Sequence, residues 1–419
     1  MNISFQNSLD FARQMDQADP LKSYRENFHI PVQESGEPYI YFCGNSLGCQ
    51  PKSVRAFIET ELKDWEMLGV EGHFHAKNPW MPYHEFLTES SARIVGALPE
   101  EVVVMNSLTV NLHLMMASFY RPDAKRYKIM IEADAFPSDI YAVKSQLIHH
   151  GFDPEEGLIM LQPKEGEHCV WQEDIEAAIR ENGDQLALIL LGGVNYYTGQ
   201  VFDFEKITKI GHEVGAKVGF DLAHAVGNIQ LKLHDWNVDF ACWCTYKYLN
   251  SGPGGVGGCF VHQRNASDKN LPRFAGWWGH DKETRFQMGP EFDPIPTAEG
   301  WQLSNAPVLA MASLKASLAI FDEVGMDGLV EKSKKLTGYL LFLLQDIGPE
   351  IEIITPSDPK QRGCQLSLLT GANGRETFER ITKAGIICDW REPNVIRLAP
   401  VPLYNSFEDV WRFAEILKD

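Results

Sequence analysis

The sequence predicts an α/β protein, in which a mainly parallel sheet flanked by helices is followed by a smaller α+β C-terminal domain. Between about residues 100 and 262, apolar β-forming runs alternate with helical segments, which is typical of βαβ units. After residue 308 this alternation gives way to one long helical segment and several shorter elements. The 419 residues, 44% of them hydrophobic, are sufficient to bury a large core.

The predicted strands of the sheet are apolar along their length, as expected for strands covered on both faces. They are VVVM (102–105), KIMIEA (128–133), LIML (158–161), LALILL (186–191), KVGFD (217–221), FACWCT (240–245) and GCFVH (258–262). Helices are predicted near 110–118 and 139–149. Ligands of open α/β sheets bind beyond the carboxyl ends of the strands, so the residues after these runs are the candidates for a site.

The C-terminal part begins with a predicted connector helix at 308–325, after which IEIIT, CQLSLL, GIICD and VIRLA are predicted as strands. Ser406 and Asp409 have the spacing of a capping box, which predicts a last helix near 407–418. We therefore expect three parts: an N-terminal segment (1–40) that packs on the small domain, a large domain (41–307) and the small domain (308–419).

Composition excludes several classes of partner. A formal net charge of −19 argues against binding to nucleic acid or to an anionic membrane surface. The N-terminus, MNISFQNSLDFARQMDQADPL, has neither a secretory signal nor an apolar span, so a cytoplasmic protein is expected. Cys242 and Cys244 form a C-x-C inside an apolar strand and lack the paired spacing of zinc sites, so no metal is expected.

The segment CWCTYKYLNSGPGG (242–255) places Lys247 between two tyrosines at the end of an apolar strand. Desolvation disfavours the charged form of a lysine and so prepares its amine for a Schiff base. The neighbouring run KVGFDLAHAVGN places Asp221 at a strand end and His224 three residues later. Pyridoxal phosphate needs such an acid beside its ring nitrogen. A partly buried ion pair between Asp221 and Lys247 is the competing interpretation.

Two further strand ends offer groups for the same cofactor. In MNSLTVNLHLMM, Leu108 and Thr109 open a helix whose backbone N–H groups can bind a phosphate. In EADAFPSD, Phe136 is placed to stack on a pyridine ring, with Ser138 and Asp139 beside it. Each signal is weak alone, because hydroxylated residues also cap ordinary helices and aromatic residues usually belong to the core.

Together, the segments FCGNSLG, LTVNLH, AFPSD, GFDLAHAVGN, DFACWCTYKYLNSGPGG, GWWGH, LSNAP and APVPLYNSF resemble the kynureninase family. These are pyridoxal-phosphate enzymes of fold type I, in the aminotransferase superfamily. The resemblance runs in order from about residue 40 to the C-terminus, and DLAHAVGN with CWCTYKYLN is its most specific part.

The resemblance implies roles for particular residues around the cofactor. Lys247 would hold the cofactor, and Tyr246 would contact its phosphate and deliver a proton. Trp277 of GWWGH and Asn305 of LSNAP would reach the site from a partner subunit, which implies a homodimer. The implied cofactor-binding residues of the chain's own site are Leu108, Thr109, Phe136, Ser138, Asp139, Asp221, His224, Tyr246 and Lys247.

The resemblance also implies a substrate site and a reaction. Arg397 in NVIRLAP would bind an α-carboxylate in a bidentate pair, and Ser46, His73 and Asn305 would lie near an aryl group. Gly192 stands where the family often has a hydroxylated residue, so that contact is lost. The reaction implied is hydrolysis of the Cβ–Cγ bond of L-kynurenine or its 3-hydroxy derivative. A site that bonds the ring hydroxyl would favour the hydroxylated substrate in kcat/KM by at least about tenfold.

Two alternatives to this activity remain open. A cysteine desulfurase or an aminotransferase of the same fold would share Asp221, His224 and Lys247, but a desulfurase also needs a reactive cysteine on a mobile loop. Cys364 and Cys388 lie instead in strand-like runs. A non-catalytic relative with a binding or scaffold role is the second alternative, although such a protein has no use for a desolvated lysine.

Overall fold

A computed structural model describes residues 4–133, 135–345, 347–348 and 350–418. The helices of this part are α1 Leu9–Gln17, α2 Val54–Leu68, α3 Gly72–His75, α4 Glu85–Val95, α5 Leu108–Phe119, α6 Pro137–His149, α7 Pro154–Gly157, α8 Gln172–Asn182, α9 Phe204–Glu213, α10 Gln263–Ala266, α11 Val308–Leu343, α12 Gly374–Lys383 and α13 Phe407–Lys418. No helix of these residues combines the length and the apolar character needed to cross a membrane.

The strands before the central sheet are β1 Phe28–His29, β2 Ile40–Tyr41 and β3 Gln50–Pro51. The central sheet contains β4 Val102–Val104, β5 Lys128–Glu132, β6 Leu158–Leu161, β7 Leu186–Gly192, β8 Lys217–Asp221, β9 Phe240–Cys244 and β10 Gly257–Val261. The C-terminal strands are β11 Ile351–Ile353, β12 Leu366–Thr370, β13 Ile386–Ile387, β14 Asp389–Arg391 and β15 Val395–Leu398.

The central sheet confirms the predicted fold class. Its strand order is β4-β10-β9-β8-β7-β5-β6, and its pairs are parallel except for the two made by β10. Alternate residues enter two different cores: Ala241 and Trp243 pack in one cluster, Phe240 and Cys242 in the other. The sheet is therefore buried on both faces, which is why its strands are apolar throughout.

The C-terminal part contains a four-stranded antiparallel sheet of order β11-β12-β15-β14 with its own apolar cluster. Ala12 of the N-terminal segment and Phe42, which follows that segment, belong to this cluster, and Asp16 accepts hydrogen bonds from the first N–H groups of α13. Ser406 and Asp409 form the reciprocal bonds of the expected capping box. The division of the chain at residues 40 and 307 stays a prediction.

Two predicted elements differ from the structure. The connector helix continues to Leu343 instead of stopping at 325, because the chain resumes a helix after one non-helical residue, Gly325. The run GIICD forms two short strands in different sheets: β13 pairs with β2, whereas β14 pairs with β15. Hydrophobic pattern predicts that such a run is extended but not which strand it joins.

Candidate active site

The carboxyl ends of the parallel strands of the central sheet border a cavity of about 330 Å³, which we call the Lys247 cavity. This volume lies at the lower end of the range of sites for small molecules. The cavity is lined by Asn45, Ser46, Ser107, Leu108, Thr109, Glu132, Phe136, Ser138, Asp139, Gly192, Val194, Tyr196, Asp221, Ala223, His224, Tyr246, Lys247, Gly254, Gly255, Arg391 and Arg397. Side chains that are distant in the sequence therefore meet at the edge where ligands of this fold class bind.

Lys247 follows the end of β9 and lies beside His224, with 2.9 Å between Nζ and Nε2. Burial lowers the pKa of Lys247, which favours the neutral amine. Burial, with the charge of Lys247, also holds the pKa of His224 well below its ordinary value. The buried Nδ1 of His224 has no hydrogen-bond partner among the described residues. A neutral imidazole with one free polar atom thus borders the amine.

Asp221 and Asp139 form an acidic end of the Lys247 cavity. Both side chains are buried, and Asp221 accepts a hydrogen bond of 2.7 Å from the backbone N–H of Ala223. Burial raises the pKa of Asp139 well above its ordinary value, and the charges of Asp221 and Glu132 raise it further. The hydrogen bond between the two side chains raises the pKa of Asp139 and opposes the rise that burial gives the pKa of Asp221, which favours the proton on Asp139. This end fits a cofactor with a protonated ring nitrogen.

The N-terminus of α5 forms another side of the cavity. Helix α5 begins at Leu108, and the Oγ1 of Thr109 lies 3.0 Å from the Oγ of Ser138. Free backbone N–H groups at a helix start favour an anion, and the two hydroxyls add further donors. Gly254 and Gly255, of the turn after Lys247, also line the cavity. This donor set fits a phosphate group.

Phe136 is 46% exposed and lies beside the amine of Lys247, with 6.0 Å from the ring centroid to Nζ. Its ring packs edge-on against Tyr196 at 5.4 Å between centroids. An aromatic ring that is left exposed next to the amine fits stacking on a planar cofactor ring.

The GNSLG turn, residues 44–48, packs directly on the segment that carries Lys247. The N–H of Gly48 donates a 2.9 Å hydrogen bond to the carbonyl of Tyr246, and a Cβ at position 48 would lie 2.3 Å from the carbonyl oxygen of Lys247. Glycine is therefore required here. The turn brings Ser46 into the lining of the cavity, where half-buried Tyr246 also lies.

Arg397 lies on β15 of the small sheet, and only 1% of its surface is exposed. Its Nη1 donates a 2.7 Å hydrogen bond to the carbonyl of Tyr196, and its Nη2 donates to the carboxylate of Asp389. A buried guanidinium that lines the same cavity as Lys247 is positioned to bind a substrate carboxylate.

Three residues that were expected near the site do not line the Lys247 cavity of one chain. The Nδ1 of His73, on α3, lies 3.0 Å from the carbonyl of Val70. Trp277 is 41% exposed, and its indole N–H bonds to the carbonyl of Arg285. Asn305 is exposed and lines a neighbouring cavity, of which Gly254 is a shared wall. The expectation that Trp277 and Asn305 act across a subunit boundary stays a prediction.

The cavity is also lined by four residues that were not predicted from the sequence, namely Asn45, Glu132, Tyr196 and Arg391. Glu132 had a signal, because it ends the buried strand KIMIE at the same edge of the sheet. Its carboxylate accepts a 3.1 Å hydrogen bond from the N–H of Gly192. The sequence carried no such signal for Arg391, since an arginine in a polar segment such as DWREPN is usually a surface residue.

The fold and this cavity define a pyridoxal-phosphate-dependent enzyme of fold type I. Among solved structures, the chain is similar to a C-DES mutant with glycine covalently linked to its PLP cofactor, at TM-score 0.76 and 16% identity, over 90% of this chain and 96% of that one. It is also similar to the apo cysteine desulfurase from Thermococcus onnurineus, at TM-score 0.73 and 17% identity, over 99% and 98% of the two chains. At such identities these structures show the fold alone.

Curated relatives give the family. The chain is 59% identical to a kynureninase from Koribacter versatilis over 98% of this chain and 97% of that protein. It is 56% identical to a kynureninase from Flavobacterium psychrophilum, over 99% of this chain and 98% of that protein. It is also 56% identical to a kynureninase from Myxococcus xanthus, over 99% of this chain and 97% of that protein. The family model of the kynureninase C-terminal domain matches residues 329–417. The chain belongs to the kynureninase family.

Proposed function

We propose that this protein hydrolyses the Cβ–Cγ bond of L-kynurenine or 3-hydroxy-L-kynurenine. The products are anthranilate or 3-hydroxyanthranilate, together with L-alanine. The observation that carries the proposal is the shared cavity of Lys247, Asp221 and Arg397 in a chain that is 59% identical to a curated kynureninase. An amine, a buried acid and a buried guanidinium are the groups needed to process an amino acid on this cofactor.

Each of these side chains has a defined task. Pyridoxal phosphate, when bound, supplies the electron sink for negative charge that develops on the substrate. Asp221 keeps the ring nitrogen protonated, Lys247 removes and returns the proton at Cα, and Arg397 holds the α-carboxylate. Water adds to the γ-carbonyl before the bond breaks. Tyr246 is positioned to protonate Cβ, because burial raises the pKa of its phenol and keeps it a proton donor.

The cysteines argue against a desulfurase activity. Seven of the eight are buried and Cys43 is partly buried. Burial raises the pKa of Cys364 to about 12 and that of Cys43 to about 11. A desulfurase needs an accessible thiolate on a mobile loop, and the raised pKa values of Cys364 and Cys43 disfavour a thiolate at either position.

The direct test is product formation with and without Lys247. We expect the unchanged protein, loaded with pyridoxal phosphate, to release anthranilate and L-alanine from L-kynurenine. Lys247→Ala should lose this activity together with the long-wavelength absorption of the bound cofactor. Lys125→Ala removes a lysine whose side chain is 73% exposed and should change neither. The proposal is wrong if the unchanged protein binds the cofactor but releases no anthranilate.

We further propose a cytoplasmic homodimer in which Trp277 and Asn305 complete the site of the other subunit. Both residues lie outside the Lys247 cavity of their own chain, and the surface near Trp277 exposes Phe286 by 55% and Met288 by 75%. Such apolar exposure is typical of a surface that another chain covers. His73 and Asn305, which are expected to contact the aryl group of the substrate, both lie outside the Lys247 cavity of their own chain. The expected preference for the hydroxylated substrate therefore depends on the same dimer.

A subunit-mixing experiment tests the shared site. Lys247→Ala and the double variant Trp277→Ala/Asn305→Ala should each be inactive as separate preparations. In a hybrid dimer, one of the two sites retains all three residues, so random exchange of subunits should restore about a quarter of the unchanged activity. Mixing two preparations of Lys247→Ala is the control. Absence of recovery, with exchange verified by mass spectrometry, would contradict a site shared between subunits.

A further inference from the structure

A pair of arginines shares one acidic partner at the wall of the Lys247 cavity. Asp389 and Arg391 lie on β14, and Asp389 is directly opposite Arg397 on β15. Residues two apart in a strand point to the same face, so the three charged side chains form one cluster. Arg391 and Arg397 both line the cavity that contains Lys247.

The hydrogen bonds of the cluster converge on one oxygen. The Oδ2 of Asp389 accepts from the Nη2 of Arg391 at 2.9 Å and from the Oγ of Ser46 at 2.8 Å. It also accepts from the Nη2 of Arg397, whose Nη1 donates to the carbonyl of Tyr196. Asp389 therefore fixes the position of both guanidinium groups relative to each other.

The cluster nevertheless has unused binding capacity. The Nε atoms of Arg391 and Arg397 are both buried, and neither has a hydrogen-bond partner among the described residues. A buried N–H without an acceptor costs free energy, which a ligand with acceptor oxygens would recover. Two guanidinium groups and one carboxylate also leave one positive charge in excess. The cluster is thus suited to one monovalent anion.

The proposed function brings two anions into the cavity, the cofactor phosphate and the substrate carboxylate. The backbone N–H groups at the start of α5 are available for the phosphate. The excess charge of the arginine pair therefore fits the substrate carboxylate. The positive charges of Arg397 and Arg391 contribute, after burial and Lys247, to the lowered pKa of His224, so both arginines act on the part of the cavity that contains the amine and the imidazole.

We propose that Arg391 is a second carboxylate-binding residue, which shares the substrate's α-carboxylate with Arg397, and that Asp389 is the positioning residue of both. The inference rests on the proposed function and adds a specificity determinant to it. Two forks on one carboxylate would make the site selective for amino acids over the corresponding amines.

The test compares L-kynurenine with kynurenamine, which lacks the α-carboxylate. In Arg391→Gln we expect the KM for L-kynurenine to rise by at least about tenfold, whereas kcat changes by less than about threefold. The inhibition constant of kynurenamine should change by less than about twofold, because this ligand does not use the lost contact. Arg391→Lys, which keeps the charge but loses the planar fork, should give an intermediate KM.

The matched control is Arg375→Gln, which removes an arginine of the same unit whose side chain is 58% exposed. This variant should change neither the KM for L-kynurenine nor the inhibition constant of kynurenamine. Asp389→Asn should raise the KM for L-kynurenine with little change in kcat, in contrast to a purely structural residue, whose loss would lower thermal stability and leave the KM unchanged. Cofactor absorption of each variant verifies that the site has formed.

Two results would overturn the inference. An unchanged KM of Arg391→Gln would show that Arg391 does not bind the substrate. An equal rise in the KM for L-kynurenine and in the inhibition constant of kynurenamine would show that Arg391 acts on another part of the ligand or on the cofactor. Both results presuppose an unchanged protein that cleaves L-kynurenine, so they are distinguishable from a failure of the proposed function itself.

Discussion

The chemistry of the site depends on how burial changes a few titratable side chains. Lys247 has a lowered pKa and Asp139 a raised one, because water is excluded from both. Burial raises the pKa of Asp221 as well, but the N–H of Ala223, the charge of Lys247 and the hydrogen bond with Asp139 oppose this rise, so Asp221 is the better supported carboxylate of the pair. One end of the cavity can therefore hold a neutral amine while the other holds a negative charge.

Replacement of Asp221 should separate its chemical role from its structural one. We expect Asp221→Ala to lower kcat by at least about 100-fold and to weaken cofactor binding, since nothing then keeps the ring nitrogen protonated. Steady-state kinetics and cofactor titration measure the two effects. Asp235→Ala, which removes an exposed aspartate, is the control. Nearly full activity of Asp221→Ala with normal stability would mean that Asp221 is only structural.

At the scale of elements, α11 connects the central part of the chain to the C-terminal part and contains a break. Gly325 has φ 71° and ψ 152°, which is not helical, and helical residues precede and follow it. Among the described residues, and apart from the adjoining backbone, no heavy atom lies within 4 Å of a Cβ built at this position. Its requirement for glycine therefore comes from backbone conformation and not from space. Phe321 before the break and Met326 and Leu329 after it pack in the same apolar cluster, so both helical segments contribute to one core.

Two glycines of α11 offer a matched comparison. Gly325→Ala should lower the free energy of unfolding by ~1–3 kcal/mol, because alanine is strained at this positive φ. Gly328→Ala should raise it by ~0.4–1 kcal/mol, because that residue is helical and its Cβ would meet Val324 at an ordinary 3.7 Å. Denaturant unfolding measures both. Equal effects of the two substitutions would contradict a conformational requirement at position 325.

Across the whole molecule, buried charges are paired between segments that are distant in sequence. Glu299, on the 3-10 turn Ala298–Trp301, lies 2.9 Å from the Nε2 of His84 and 2.7 Å from the Nζ of Lys282. Burial raises the pKa of Glu299, but the hydrogen bonds and charges of these two partners outweigh it and lower the pKa to about 2. This carboxylate joins three separate parts of the chain.

The lowered pKa of Glu299 gives a signed dependence on pH. Its contribution to stability is fully present above the unfolded pKa of about 4.3, and it is lost as the pH falls towards 2. Glu299→Gln should therefore cost ~1–3 kcal/mol near neutral pH and progressively less in acid. Glu155→Gln removes a carboxylate that is 83% exposed and should cost less than ~0.5 kcal/mol. Urea unfolding at several pH values measures these losses. A loss of free energy of unfolding in Glu299→Gln that stays constant between neutral and acid pH would contradict the pKa argument.

Local sequence pattern was sufficient to predict the fold class and the part of the site that follows strand ends. Strands such as LALILL and KVGFD are continuous apolar runs, a local property that burial on both faces requires. Lys247 and Asp221 could be predicted because a charged residue after such a run lies at the ligand edge of a parallel sheet. The resemblance then supplied the family, which the relatives confirm.

The distant side chains that complete the cavity could not be predicted in this way, because they are brought together by tertiary contacts. Asp389 ends the run GIICD, which was predicted as one strand, and Arg391 lies beyond it; the place of both beside Arg397 depends on the register of β14 on β15. The antiparallel direction of β10 and the resumption of α11 after Gly325 were equally absent from the sequence pattern. Periodicity reports whether a residue is buried, whereas its partners are selected by packing between segments far apart in the chain.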